Sequence, residues 1–150
     1  MMWLPLRQSV EIGGQMNSEN RSYGIELVLD LHGCDSSTFT RAHINSYFTE
    51  ICEIIQMEKC DVHFWDDIGV PLEDRQTLPH TVGTSAVCFI LTSTIVIHTL
   101  DLLECVYVNI FSCKRFNEHT ATEFTAKWFN AKTHNATLVE RTLATGDGGI

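Results

Sequence analysis

The longest apolar stretch of this 150-residue chain, Thr84 to Cys113, is interrupted by a few polar side chains: Ser85, Ser93, His98 and Cys113. Two hydroxyls, an imidazole and a thiol are the groups of nucleophilic and acid–base chemistry. Burial in a low-dielectric setting would shift their proton affinities toward such use. Carried on adjoining strands, they can converge in space. Taken singly, each has an ordinary structural reading: a hydrogen-bonded core histidine, turn or strand serines, a small buried thiol. Only the combination points to chemistry. The Asp66-Asp67 pair is a weaker candidate, because adjacent side chains on an extended chain point opposite ways, and it reads as a solvated loop. A Ser-His hydrolase lacks support, since there is no GxSxG turn and nothing marks a carboxylate to orient His98.

The surrounding pattern supplies the elements that must position these groups. Val87 to Leu91, Ile95 to Ile97 and Cys105 to Phe111 are rich in β-branched and aromatic residues and read as three strands, separated by Thr92-Ser93-Thr94 and by Asp101 to Glu104. Upstream, Ile25, Leu27, Leu29 and Leu31 alternate with Glu26, Val28 and Asp30, as in a strand with one buried face. His32 to Asp35 reads as the following turn. A helix is expected from Ser37 or Thr38, whose hydroxyls can cap it, to about Glu58, with Ile44, Phe48, Ile51 and Ile55 facing a sheet. Asp61 to Trp65 reads as a further strand, and Ile68 to Thr81, with Gly69, Pro71 and Pro79, as a long connection. Asn117 would cap a second helix bearing Phe124 and Trp128, and Ala136 to Arg141 a last strand. This order gives an α+β fold, a two-layer sandwich in which both helices cover one face of a largely antiparallel sheet. Residues 1–22 read as a flexible lead-in, with Met16 an alternative start, residues 23–142 as one domain, and residues 143–150 as a disordered tail.

Bulk properties narrow the function classes. Ten Lys and Arg against nineteen Asp and Glu leave a net charge of −9, which disfavours a nucleic-acid partner. A cationic small molecule suits that field better. The six cysteines form no CxxC pair and no Cys-His ligand spacing, so no metal site is expected, and buried reduced thiols in a cytoplasmic protein are. No segment has the length of a membrane span, and MMWLPLRQ is too short in its apolar run for an export signal.

The central block resembles the small prokaryotic-type S-adenosylmethionine decarboxylases. The likeness is carried by Ser85, Thr92-Ser93, Ile97-His98-Thr99 and Phe111-Ser112-Cys113, which keep that family's spacings without a gap, and it extends from about Tyr23 to Arg141. The resemblance implies the sandwich fold, a homodimer with active sites at the subunit interface, and a covalent pyruvoyl cofactor made from Ser93. By matched position, Ser93 would attack the carbonyl of Thr92 and convert the peptide bond to an ester. His98 would remove the α-proton for elimination, Ser85 would hydrogen-bond the cyclic intermediate, and Cys113 would later protonate the substrate carbanion.

Several positions depart from the family pattern. Thr92 stands where the family usually has glutamate, and Thr94 where histidine often follows. Leu100, Asp101 and Leu102 occupy its Trp-Pro-Glu, and Pro79 its adenine-site aromatic. Asp101 is a candidate displaced carboxylate for substrate binding, and Trp65 or Phe64 a displaced aromatic. The expected activity is decarboxylation of an amine substrate, S-adenosylmethionine, in polyamine (spermidine) synthesis. One alternative keeps the pyruvoyl chemistry for a basic amino acid such as ornithine or arginine. Another is an uncleaved, noncatalytic homologue serving as a partner subunit, which Thr92 favours.

Overall fold

A computed structural model describes residues 21–144. Its strands are β1 (Ser22–His32), β2 (Lys59–Trp65), β3 (Ser85–Ile90), β4 (Ser93–Leu100), β5 (Cys105–Ser112) and β6 (Thr133–Thr142), with helices α1 (Arg41–Ile54) and α2 (Glu118–Trp128). They form one six-stranded sheet in the order β2-β3-β4-β5-β1-β6. Every neighbouring pair is antiparallel. β3, β4 and β5 make a meander whose first link is the two residues Leu91 and Thr92, too short for anything but antiparallel pairing. β1 lies between β5 and β6, so the first strand of the domain closes the sheet against its last.

Alternation fixes which side chains meet the helices. On β1, Ile25, Leu27, Leu29 and Leu31 are buried, as their spacing requires, and Ala86, Cys88, Ile90, Ile95, Ile97, Val106, Val108 and Ile110 continue that face across the meander. Ile44, Tyr47, Phe48, Ile51 and Cys52 of α1 and Ala121 of α2 close the core from above. Burying this many large apolar side chains is the main drive for the two-layer arrangement. Tyr47 joins the helices, its hydroxyl lying 2.8 Å from Thr125 Oγ1 and its ring stacking on Phe124. The opposite face of the sheet carries the residues of the other parity, among them Trp65, Ser85, Phe89, Thr94, His98, Tyr107 and Phe111, and neither helix covers it.

Several boundaries differ from the pattern reading. Ser36–Thr38 form a short 3-10 turn capped by Asp35, and α1 starts only after Thr40, whose hydroxyl accepts the amide of His43. The helix ends at Ile54, before Gln56 turns left-handed at φ 56°, and does not reach Glu58. β1 begins at Ser22 and Leu143 donates its amide to Arg21, so the ordered domain extends one or two residues past both expected limits. Of the expected lead-in over 1–22 and tail over 143–150, residues 1–20 and 145–150 lie outside the described residues. Cys60 is exposed, unlike the buried Cys34, Cys52 and Cys88.

The Asp66-Asp67 pair is also a structural device where a solvated loop was expected. Arg41, at the first turn of α1, grips Asp66 with Nε and Nη2 at 2.7 and 2.6 Å, and the Asp66 side chain is only 5% exposed. Asp67 accepts the amide of Gln76, so the pair ties the start of the connection between β2 and β3 to α1 and to the connection's own middle. The guanidinium holds the Asp66 carboxyl below its ordinary value. A depressed folded-state pKa makes this stabilisation complete above the unfolded carboxyl pKa of about 4, and lost as pH falls through the lower folded value. Asp66→Asn should therefore lower the urea midpoint at pH 7, and the difference from wild type should vanish in acid. Denaturation curves across that window check this, and a difference that persisted unchanged at the acid end would mean the pair is not the cause.

Candidate active site

At one end of the meander, strand register lines up a row of side chains on the open face. Trp65 pairs with Ser85, Ser85 with His98, and His98 with Tyr107. Directly opposed residues on antiparallel strands share a face, which is why four residues from four strands meet. The Ser85 hydroxyl lies 2.8 Å from His98 Nδ1. The row borders a depression of about 500 Å³, walled further by Gln76, His80, Gly83 and Leu100. Burial, then Cys105, pushes the Tyr107 phenol above its ordinary value, so it stays protonated beside the imidazole. An imidazole held by a hydroxyl through one nitrogen keeps the other for proton transfer.

The second group sits at the other end of β4. Ile90 pairs with Ser93, leaving Leu91 and Thr92 as the whole turn, and Thr92 is left-handed at φ 60°. Such turns favour glycine or asparagine, and a β-branched residue there stores strain of order 1–3 kcal/mol. Ser93, 4% exposed, accepts the Cys113 amide on its Oγ at 3.0 Å, and Thr92 Oγ1 lies 3.4 Å from the Cys113 sulfur. The Thr92 hydroxyl, then that of Ser93, lowers the proton affinity of the Cys113 thiol. The strained peptide, the serine after it and a thiol of lowered proton affinity are thus in mutual contact. This is a workable setting for hydroxyl attack on the preceding carbonyl.

The four central residues therefore fall into two pairs within one subunit, Ser85 with His98 and Ser93 with Cys113. Ser93 and His98 are five residues apart on one strand, which is about 17 Å, and five is odd, so their side chains take opposite faces. The single cluster expected from the sequence does not form inside one chain. Trp65 does join the Ser85–His98 group. Asp101 does not: its carboxylate lines a neighbouring depression with Arg41, Asp66 and Arg75. There its Oδ1 is buried with no hydrogen-bond partner among the described residues, and burial raises its pKa. Phe64 faces the core side of β2. Tyr107, missed in the sequence, is marked there only by its parity on β5. No group of three or more His, Cys, Asp or Glu side chains among the described residues is arranged to hold a metal.

A family profile described as S-adenosylmethionine decarboxylase matches residues 25–142. Among solved structures, the fold is similar to the crystal structure of the adenosylmethionine decarboxylase from Aquifex aeolicus VF5. The TM-score is 0.64 at 17% identity, covering 87% of this chain and 99% of that one. Among curated proteins, no sequence matches. The structural likeness establishes a shared fold, and the profile spans both residue pairs.

Proposed function

The chain belongs to the S-adenosylmethionine decarboxylase family, and on that premise we propose that it is a pyruvoyl-dependent decarboxylase that cuts itself between Thr92 and Ser93. The observation that carries this reading is the seat of Ser93, buried behind a left-handed Thr92 and in contact with Cys113. Ser93 Oγ would attack the Thr92 carbonyl carbon, the amide would become an ester, and loss of the Ser93 α-proton would expel the Thr92 carboxylate. Cutting also releases the backbone strain at Thr92, which favours the forward direction. The dehydroalanine left at position 93 would take up water and release its nitrogen as ammonia, giving at the start of β4 a pyruvoyl group, which would supply the electron sink that amino-acid decarboxylation requires. Cys113 would return a proton to the substrate Cα, a task suited to a thiol whose proton affinity is already lowered.

His98 would remove the α-proton, but from the neighbouring subunit. A two-fold axis running between two stacked open faces, across the strands, sets the His98 end of one sheet over the Ser93 end of the other. Each site of the homodimer then takes Ser93 and Cys113 from one chain and Ser85 and His98 from its partner. Trp65 and Tyr107 would supply the aromatic surface against the substrate, S-adenosylmethionine, within polyamine (spermidine) synthesis. A sulfonium amine suits the acidic chain, with its net charge of −9. We place the enzyme in the cytoplasm, without nucleic-acid or membrane partners. No described helix is long and apolar enough to cross a membrane.

Denaturing intact mass spectrometry of freshly purified protein tests the reading. Two fragments are expected, residues 1–92 and 93–150, the second bearing a ketone that reacts with hydrazine, and neither is expected from Ser93→Ala. A single uncut species after long incubation would overturn the pyruvoyl chemistry and leave a noncatalytic partner subunit as the reading. If the chain is cut but S-adenosylmethionine is not decarboxylated, ornithine and arginine are the substrates to assay, since Leu100 and Leu102 replace the family's nucleoside-binding residues.

A further inference from the structure

Thr92 is the residue that departs from the family at the bond to be cut, and its side chain has two partners. Its Oγ1 lies 2.7 Å from the Leu91 carbonyl oxygen and 3.4 Å from Cys113 Sγ. A hydroxyl carries one proton and can accept as well as donate, so the two contacts are used alternately. While Cys113 is a thiol, its S–H donates to Oγ1 and the Thr92 proton points at Leu91. When Cys113 gives up its proton, the hydroxyl rotates and donates to the sulfur anion. Thr92 loses no proton in either state, and only the direction of its donor changes.

We propose that Thr92 is a positioning residue for Cys113, its hydroxyl being the hinged hydrogen-bond partner that serves the sulfur in both protonation states. The left-handed backbone is what aims it, because φ 60° at the second turn residue swings Oγ1 across the end of β4 toward β5. The strain at Thr92 thereby has a use before any bond is cut. Ser93 also contributes its hydroxyl to the thiol, and on β1 the backbone of Gly24 lies against that of Cys113. Among the described charged groups, Lys114 acts on the thiol, with its Nζ donating to the Gln56 carbonyl at 2.8 Å.

This inference builds on the proposed role of Cys113, but its test reads the thiol directly and needs neither cleavage nor turnover. The full chain is held uncut by Ser93→Ala, and alkylation of Cys113 by iodoacetamide is followed against pH, with the Cys113 peptide resolved from the other cysteines by mass. Adding Thr92→Ala should raise the midpoint of the profile by about one pH unit, with a roughly ten-fold slower reaction at pH 7, because the anion loses a donor. Adding Thr92→Ser, which restores the hydroxyl, should leave the midpoint within a few tenths of a unit of the parent. Thr92 is exposed at a hairpin tip, so both variants should fold, and circular dichroism confirms it. A Thr92→Ala profile superimposed on the parent would overturn the proposal. So would an equal shift in Thr92→Ser, which would assign the effect to the backbone.

Discussion

Co-expressing Ser93→Ala chains with His98→Ala chains should restore cleavage and decarboxylation that neither variant shows alone. On the proposed reading, both sites of a Ser93→Ala homodimer would lack the residue to be converted, and both sites of a His98→Ala homodimer would lack the base. A mixed dimer built on an isologous two-fold has one site with both residues intact and one with neither. Random pairing at equal expression makes half the dimers mixed, so roughly one quarter of the wild-type sites should be active. The five-residue separation on β4 is what demands this outcome, since about 17 Å cannot be bridged by an imidazole in one subunit. Cleaved His98→Ala chains in the mixed sample, detected by intact mass, are the primary readout. Full processing of either variant alone, or none in the mixture despite mixed dimers on a gel, would rule out the shared site.

Much of the scaffold that poses this problem is legible in the chain. Leucines at every second position of β1 leave one buried face, and the β-branched runs of β3 and β5 need little context to be strands. The split of the site was not legible, for a local reason. Ser93 has modest strand propensity, and with Thr92 and Thr94 it forms a polar step before Ile95–Ile97 that reads as a separator. Pairing of Ser93 with Ile90 nevertheless draws it into β4, the strand that carries His98. Tertiary pairing overrode propensity, and only then does counting five along one strand separate the two residues. Asp101, expected as a displaced carboxylate for substrate binding, lies outside the Ser85–His98 depression for a related reason. It follows Leu100 at the end of β4, and that single step turns its carboxylate from the Ser85–His98 depression into the next one. The start of α1 was misplaced because Asp35, Ser37 and Thr40 are all competent caps, and the choice among them rests on the 3-10 turn at Ser36–Thr38.

Gly83→Ala should cripple the His98 end of the site while leaving the Ser93 end intact. Beyond β3 the chain still runs beside β4: the Thr84 carbonyl accepts the Thr99 amide at 2.8 Å, the Thr84 amide donates to Thr99 Oγ1 at 3.0 Å, and the Val82 carbonyl accepts the Asp101 amide at 3.0 Å. A Cβ at position 83 would run into the carbonyl oxygen and carbon of Thr99. These are backbone atoms inside a ladder, so no rotamer change relieves the contact and the two segments must part. Overpacking of this kind costs about 1–3 kcal/mol, or about 4–12 °C in Tm for a domain near this size. The displaced segment begins two residues from Ser85, so the 2.8 Å contact to His98 stretches with it. A misplacement of about 1 Å is enough to slow a reaction ~100-fold. The cleavage rate should fall by that order, and by far more than the loss of stability alone would cause at a temperature where the variant is folded. Co-expression gives the discriminating measurement. Gly83→Ala chains, with Ser93 and Cys113 untouched, should be cleaved at near wild-type rate when paired with Ser93→Ala chains, which offer an intact Ser85–His98 pair. Slow cleavage in that mixture too would mean that the damage spreads along β4, and that the two ends of the strand do not act independently.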